Sequence, residues 1–128
     1  MTILLVEDSK MLRVANARAL ARAGYQVILA GDGEEALRVA QEKIPDLILL
    51  DMMLPKITGL EVLRSLKSDA RTREIPVIVL SGLSQTNGEK LVKEGAAAFF
   101  EKSEKTLAND SADLIEAVKN VLAKAAVK

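Results

Sequence analysis

Asp46–Gly59 reads DLILLDMMLPKITG, and this stretch decides the fold. Four consecutive aliphatic residues end at Asp51, and a loop that contains Pro55 follows. A short apolar run bounded by turn residues is typical of a strand buried on both faces of a parallel sheet. Asp51 therefore stands where a buried strand leaves its sheet. A carboxylate at the margin of a core needs hydrogen-bond partners or a cation, because burying an isolated charge is costly.

The rest of the chain alternates short apolar runs with stretches of helical periodicity. Strands are predicted at residues 2–6, 25–30, 47–50, 76–80 and 97–100, and helices at about 10–23, 33–43, 59–68, 84–94 and 111–124. Ser9, Asp32 and Thr58 are predicted N-caps, and the last two precede a glutamate by three residues, the spacing of a capping box. This alternation predicts right-handed crossovers and a doubly wound α/β fold, with one parallel five-stranded sheet between two helical layers.

Length and charge narrow the class of protein. The chain has 128 residues, which predicts a single domain spanning residues 1–128. Eighteen basic residues balance eighteen acidic ones, so no overall attraction for nucleic acid or for an anionic membrane is expected. Cysteine and histidine are absent, which excludes disulfides and an internal phosphohistidine. The apolar runs are too short for a transmembrane helix, and the N-terminus lacks a signal-peptide pattern, so a cytoplasmic location is predicted.

Polar residues follow most of the predicted strands at their carboxyl ends. They are Glu7 and Asp8, Asp51, Ser81 and Lys102. In a parallel sheet these ends share one edge, where ligands bind. If the first and third strands are neighbours, Asp8 faces Asp51, and the two carboxylates repel unless a hard cation such as Mg²⁺ lies between them. Asp51 could then act as a nucleophile towards a phosphoryl group, with Lys102 neutralising charge and Ser81 donating a hydrogen bond.

Each of these residues also has an ordinary structural interpretation. Asp8 alone is most simply a helix cap or turn residue, Ser81 a turn hydroxyl and Lys102 a solvated surface lysine. The functional interpretation depends on their joint placement at one edge of one predicted sheet.

Seven motifs recur in a characteristic order and spacing: LLVEDS at 4–9, DGEEAL at 32–37, DLILLD at 46–51, LP at 54–55, Gly59, PVIVLS at 76–81 and FFEK at 99–102. Through these motifs the sequence resembles the receiver domain of two-component response regulators, the CheY-like family, over residues 2–124. The resemblance implies a flavodoxin-like (βα)5 fold with the sheet order 2-1-3-4-5. It also implies that Asp51 accepts a phosphoryl group from an external histidine kinase or phosphotransfer protein. Glu7, Asp8, Asp51 and the backbone carbonyl of Met53 then resemble the Mg²⁺ site.

Three further positions acquire roles through the resemblance. Ser81 resembles the switch hydroxyl that follows the phosphate, and Lys102 resembles the lysine that pairs with it. Phe99 stands at the place of the aromatic switch residue, whose ring turns inward on activation. The sequence departs from the family at Ser103, where a proline usually follows the lysine. Because a cis peptide bond is costly without proline, the family's cis geometry is not expected here.

The resulting functional prediction is a non-enzymatic signalling module that presents a changed surface to a downstream protein, as a monomer or a phosphorylation-dependent dimer. Two alternatives stay open. One is a pseudo-receiver that docks without phosphorylation. The other is a Mg²⁺-dependent phosphatase that forms an aspartyl phosphate; such enzymes usually carry a second acid two residues after the nucleophile, where this chain has Met53. A nucleotide-binding function is excluded because no glycine-rich phosphate loop follows the first strand.

Overall fold

The computed structural model describes residues 1–52, 54–81, 92–101 and 111–126, with only the backbone described at Ser81, Glu101, Ser111, Ala112 and Ala126. The strands are β1 (Thr2–Val6), β2 (Gln26–Ala30), β3 (Leu47–Asp51), β4 (Val77–Ser81) and β5 (Ala98–Glu101). The helices are α1 (Lys10–Arg22), α2 (Gly33–Lys43), α3 (Gly59–Ser68) and α4 (Ser111–Ala126). The helix predicted at 84–94 falls mostly outside the described residues.

The strands form one parallel sheet in the order β2-β1-β3-β4-β5, which confirms the predicted doubly wound topology. Each predicted strand is present to within a residue or two. β4 and β5 both extend one residue beyond the prediction, so that Ser81 and Glu101 are their last residues and pair with each other. All the strands therefore deliver their carboxyl ends to the same edge.

Alternate residues of the central strands enter two separate cores, which explains why these strands are apolar throughout. Leu4, Ile48 and Val77 belong to a core closed by α2 and α3. Ile3, Leu49 and Ile78 belong to the core on the other face, closed by α1 and α4. The three-layer prediction is therefore confirmed. In the part of the chain that the structure describes, no helix combines the length and the apolar character needed to cross a membrane.

The helices begin at the predicted N-caps, with one difference in the hydrogen bonds that form a cap. Thr58 and Glu61 form the complete reciprocal capping box at the start of α3. At α2, the amide of Glu35 donates to Oδ1 of Asp32 at 2.9 Å, as predicted. The side chain of Glu35, however, accepts from the amide of Gly31 at 2.8 Å instead of returning to the cap residue. The capping box at α2 is therefore only half formed, and Glu35 instead fixes the turn that precedes it.

Candidate functional site

The register between β1 and β3 assembles the centre of the site. Val6 pairs with Leu50, so the next residues along the two strands, Glu7 and Asp51, emerge side by side. Glu7 is fully buried and Asp51 is 2% exposed, whereas Asp8 is exposed. Each of these three side chains places a carboxylate oxygen within 4.8 Å of the other two. The sequence suggested Asp8 as the residue facing Asp51, but the register gives that position to Glu7 and leaves Asp8 at the rim.

Backbone and side-chain hydrogen bonds fix the acidic turn after β1. The amide of Ser9 donates to Oε2 of Glu7 at 3.2 Å, and the Ser9 side chain in turn caps α1 by accepting from the amide of Leu12. Nη1 of Arg13 donates to the carbonyl oxygen of Glu7 at 2.9 Å. Arg13 was not predicted as a site residue. Its position in the first turns of α1 could have indicated this contact, because a long cationic side chain there can reach back to the end of the strand.

The chemistry of this cluster fits a divalent cation. Bringing three carboxylates together, two of them out of water, is unfavourable through both repulsion and desolvation. A hard cation removes both penalties, and Mg²⁺ prefers oxygen ligands of this kind. Glu7, Asp8 and Asp51 are the described residues that could hold it. Met53, whose carbonyl was predicted as a further ligand, lies outside the described residues.

Of the remaining predicted site residues, the structure describes Phe99 in full, Ser81 in its backbone only, and Lys102 not at all. Ser81 ends β4, one residue beyond Leu80, the strand partner of Asp51, and only its backbone is described. Lys102 follows the last residue of β5 and lies outside the described residues. Phe99 pairs with Val79 in the sheet and is 49% exposed, so its ring lies at the surface. The described structure therefore brings Glu7, Asp8 and Asp51 together and leaves the approach of Lys102 untested.

A second charged group lies where the β2–α2 turn meets the loop after β3. Nζ of Lys56 lies 3.5 Å from Oδ2 of Asp32 and 4.0 Å from Oε2 of Glu34. The pKa of Asp32 is lowered chiefly by the hydrogen bond from the amide of Glu35, and the positive charge of Lys56 acts in the same direction. Asp32 was predicted only as a helix cap, and its second role as an ion-pair partner was missed.

Comparison with known proteins agrees with this geometry. The sequence model of the response regulator receiver domain matches residues 3–119. The chain is 34% identical over 99 residues to the polar-differentiation response regulator DivK of Brucella ovis, which covers 77% of this chain and 80% of that protein. A putative response regulator from Chloroflexus aurantiacus superimposes with a TM-score of 0.86 at 28% identity, covering 95% of this chain and 97% of the other.

A further similar structure comes from a different kind of protein. The signal receiver domain of a signal transduction histidine kinase from Syntrophus aciditrophicus has a TM-score of 0.84 and 32% identity, and the match covers 96% of this chain and 90% of that one. Receiver domains of this fold thus occur both in response regulators and in a kinase. With a family match over most of its length and the acidic cluster at the expected edge of the sheet, this chain belongs to the response regulator receiver domain family of two-component systems.

Proposed function

We propose that Asp51 accepts a phosphoryl group from an external phosphohistidine and that this modification changes a protein-binding surface. The observation that supports this most directly is the clustering of Glu7, Asp8 and Asp51, with carboxylate oxygens within 4.8 Å of one another. The chain contains no histidine. The donor histidine therefore belongs to a histidine kinase or a phosphotransfer protein that docks at this edge of the sheet.

The proposed reaction is a single phosphoryl transfer. A carboxylate oxygen of Asp51 attacks phosphorus, the nitrogen–phosphorus bond breaks as the oxygen–phosphorus bond forms, and the leaving imidazole nitrogen takes up a proton. Bound Mg²⁺ supplies charge neutralisation for the transferring group. Glu7, Asp8 and Asp51, with the backbone carbonyl of Met53, would hold the cation. Neutralised in this way, the three carboxylates would no longer repel an anionic phosphoryl group that approaches Asp51.

Three other residues complete the proposed switch. The amine of Lys102 pairs with the phosphoryl group, and the hydroxyl of Ser81 donates to one of its oxygens. Movement of Ser81 opens space into which the ring of Phe99 turns. The 49% exposure of Phe99 supports this step, because a ring at the surface can lose exposure on activation. Burial of the ring would change the surface that the downstream protein contacts.

Residues 1–128 act as one cytoplasmic receiver domain, which signals by changing its surface and does not catalyse turnover of a substrate. The active form is a monomer or a phosphorylation-dependent dimer, and its direct partners are proteins. The balance of eighteen basic and eighteen acidic residues supports the absence of nucleic-acid binding in this chain.

Phosphorylation by a small donor tests the proposal directly. The intact mass of the protein is followed after incubation with acetyl phosphate and Mg²⁺, beside reactions with EDTA and with an Asp51→Asn variant. We expect a gain of one phosphoryl group that requires both Mg²⁺ and Asp51. Asp113→Asn is the matched control, because Asp113 is an exposed acid on α4.

The other outcomes separate the alternative functions. A wild-type protein that gains no phosphoryl group in the presence of Mg²⁺ would support a docking module that works without phosphorylation. Continued release of inorganic phosphate without accumulation of the phosphoprotein would support the phosphatase. Phosphorylation that persists in Asp51→Asn would place the acceptor on another residue.

A further inference from the structure

Hydrogen bonds fix Glu7 at its amide, its carboxylate and its carbonyl oxygen. The amide donates to the carbonyl of Ala30 at the end of β2 at 3.1 Å, and Oε2 of the carboxylate accepts from the amide of Ser9 at 3.2 Å. The carbonyl oxygen accepts from Nη1 of Arg13 at 2.9 Å. Backbone groups supply the partners in the first two bonds, whereas the third depends on a side chain. Substitution of Arg13 therefore removes one of these bonds and leaves the groups that form the others in place.

Arg13 stands near the N-terminus of α1, where the helix dipole disfavours a cation. Acidic side chains stabilise this end of a helix, and the first turn of α1 contains none. The half-buried guanidinium reaches the end of β2: among the described residues, Nη1 of Arg13 is the atom that a Cβ on Gly31 would approach, at 3.2 Å. Glycine at position 31 thus leaves room for the same nitrogen that donates to Glu7. The contact with Glu7, rather than the stability of the helix, explains a cation at this position.

The carbonyl that Arg13 holds belongs to the peptide group between Glu7 and Asp8. Because a peptide group is planar, its orientation fixes the direction in which the chain continues to the Cα of Asp8. Glu7 is fully buried and is surrounded by the core, whereas Asp8 is exposed at the rim of the acidic cluster. The hydrogen bond from Arg13 therefore limits where the exposed carboxylate of Asp8 lies relative to the buried carboxylates of Glu7 and Asp51.

We propose that Arg13 is a positioning residue that raises the affinity of the acidic cluster for Mg²⁺ by holding the peptide group between Glu7 and Asp8. The inference rests on the proposed function, because it assigns a role to a residue that contacts one of the proposed cation ligands. With the peptide group held, Asp8 has less conformational freedom to lose when the cation binds. Arg13 does not bind the cation itself, since a guanidinium group has donors and no acceptor.

The charge of Arg13 acts in the opposite direction from its hydrogen bond, which makes the proposal testable. A guanidinium near the site repels Mg²⁺, so Arg13→Met should tighten binding if the residue acted only through space. Arg13→Lys keeps the charge and a donor that can reach the carbonyl. Electrostatics alone therefore ranks Arg13→Met above Arg13→Lys in affinity for Mg²⁺. A positioning role predicts the reverse order, with Arg13→Met weaker than the wild type.

The test is calorimetric titration of Mg²⁺ into the full chain, with circular dichroism to check that each variant is folded. We expect Arg13→Met to weaken binding about three- to tenfold, the range that the loss of one hydrogen bond can produce. Arg13→Lys should bind more tightly than Arg13→Met. The rate of phosphorylation by acetyl phosphate is then followed at increasing Mg²⁺ concentration. The deficit of Arg13→Met should shrink as Mg²⁺ is raised, whereas a general loss of structure would leave it constant.

Gly31→Ala disturbs the same hydrogen bond without changing any charge. Gly31 does not have a positive φ, so alanine fits the backbone, and its methyl group would press on Nη1 of Arg13. We expect Gly31→Ala to weaken Mg²⁺ binding by less than Arg13→Met does. In a protein that already carries Arg13→Met, it should cause no further weakening, because the hydrogen bond is then already absent. If Arg13→Met does not fold, Arg13→Lys and Gly31→Ala decide the question.

A matched control for the lost charge lies on the same helix. Arg18 is an exposed arginine of α1, five residues further from the acidic turn than Arg13. Arg18→Met removes the same charge and should not weaken Mg²⁺ binding.

The outcomes separate the role of Arg13 from the proposed function. If the wild type binds Mg²⁺ more tightly than Asp51→Asn, while Arg13→Met binds as tightly as the wild type or more tightly, the positioning role is overturned and the cation site stands. An affinity of Arg13→Lys below that of Arg13→Met would also overturn it, as would a Gly31→Ala protein that binds as the wild type does. If the wild type itself does not bind Mg²⁺, both the cation site and the role of Arg13 fail.

Discussion

At the scale of single residues, Gly59 packs against the backbone of Asp51 and Met52 so closely that no side chain fits at position 59. A Cβ at this position would overlap the carbonyl oxygen of Asp51 and lie 2.6 Å from Cα of Met52. Both are backbone atoms, so neither can rotate away. We expect Gly59→Ala to displace the end of β3, to lower the free energy of unfolding by about 1–3 kcal/mol, and to slow phosphorylation of Asp51 several-fold. Urea unfolding and the rate of mass gain with acetyl phosphate measure the two effects.

Gly24 provides the control for this prediction. Its φ is 98°, and a Cβ there would meet no atom within 4 Å. Gly24→Ala should therefore lower the free energy of unfolding by about 1–2 kcal/mol through backbone strain alone. It should leave the phosphorylation rate unchanged, because Gly24 lies in the turn before β2, away from the acidic cluster. A Gly59→Ala protein that loses stability but is phosphorylated at the wild-type rate would contradict the role assigned to this contact.

At the scale of elements, local sequence signals predicted where the described helices begin and end, but not the backbone conformation that follows a helix end. Thr58 and Glu61 specify their capping box because both partners lie within one turn of the chain. The end of α2 was predicted at about Lys43, before Pro45, and the helix does end at Lys43. What was not predicted is the conformation of the C-cap residue Ile44, which is left-handed with φ 44°. Proline disfavours helical geometry in the residue before it, but it does not specify which alternative the chain takes. That choice depends on where β3 must begin.

The conformation of Ile44 leads to a stability prediction. Left-handed geometry is unfavourable for a β-branched residue and tolerable for asparagine. The Ile44 side chain is 48% exposed, so replacing it gives up only part of its apolar burial. We expect Ile44→Asn to raise the free energy of unfolding by about 1 kcal/mol, measured by urea denaturation. Ile44→Val, which remains β-branched, should give no such increase. A less stable Ile44→Asn protein would mean that the packing of Ile44 outweighs its backbone strain.

At the scale of the whole molecule, the sequence predicted the edge at which the site forms but not its internal contacts. The edge follows from topology, since all parallel strands end on the same side, and this was enough to bring Glu7, Asp8 and Asp51 together. The contacts of Arg13 with Glu7 and of Lys56 with Asp32 depend on how separate turns lie against each other. Periodicity and capping patterns are local, so they contain no information about such pairs.

The grouping of the three carboxylates has a consequence for the stability of the folded protein. Without a divalent cation, mutual repulsion among them opposes folding, and the exposed Asp8 can be neutralised without opening a cavity. We expect Asp8→Asn to be more stable than the wild type in EDTA, by up to about 1 kcal/mol. Mg²⁺ at about 100-fold above its dissociation constant should stabilise the wild type by about 2.7 kcal/mol and the variant by much less, so that the order of stability reverses. Thermal or urea unfolding with and without Mg²⁺ measures both effects, with Asp113→Asn as the control for a lost surface charge. Equal stabilisation of wild type and Asp8→Asn by Mg²⁺ would remove Asp8 from the cation site.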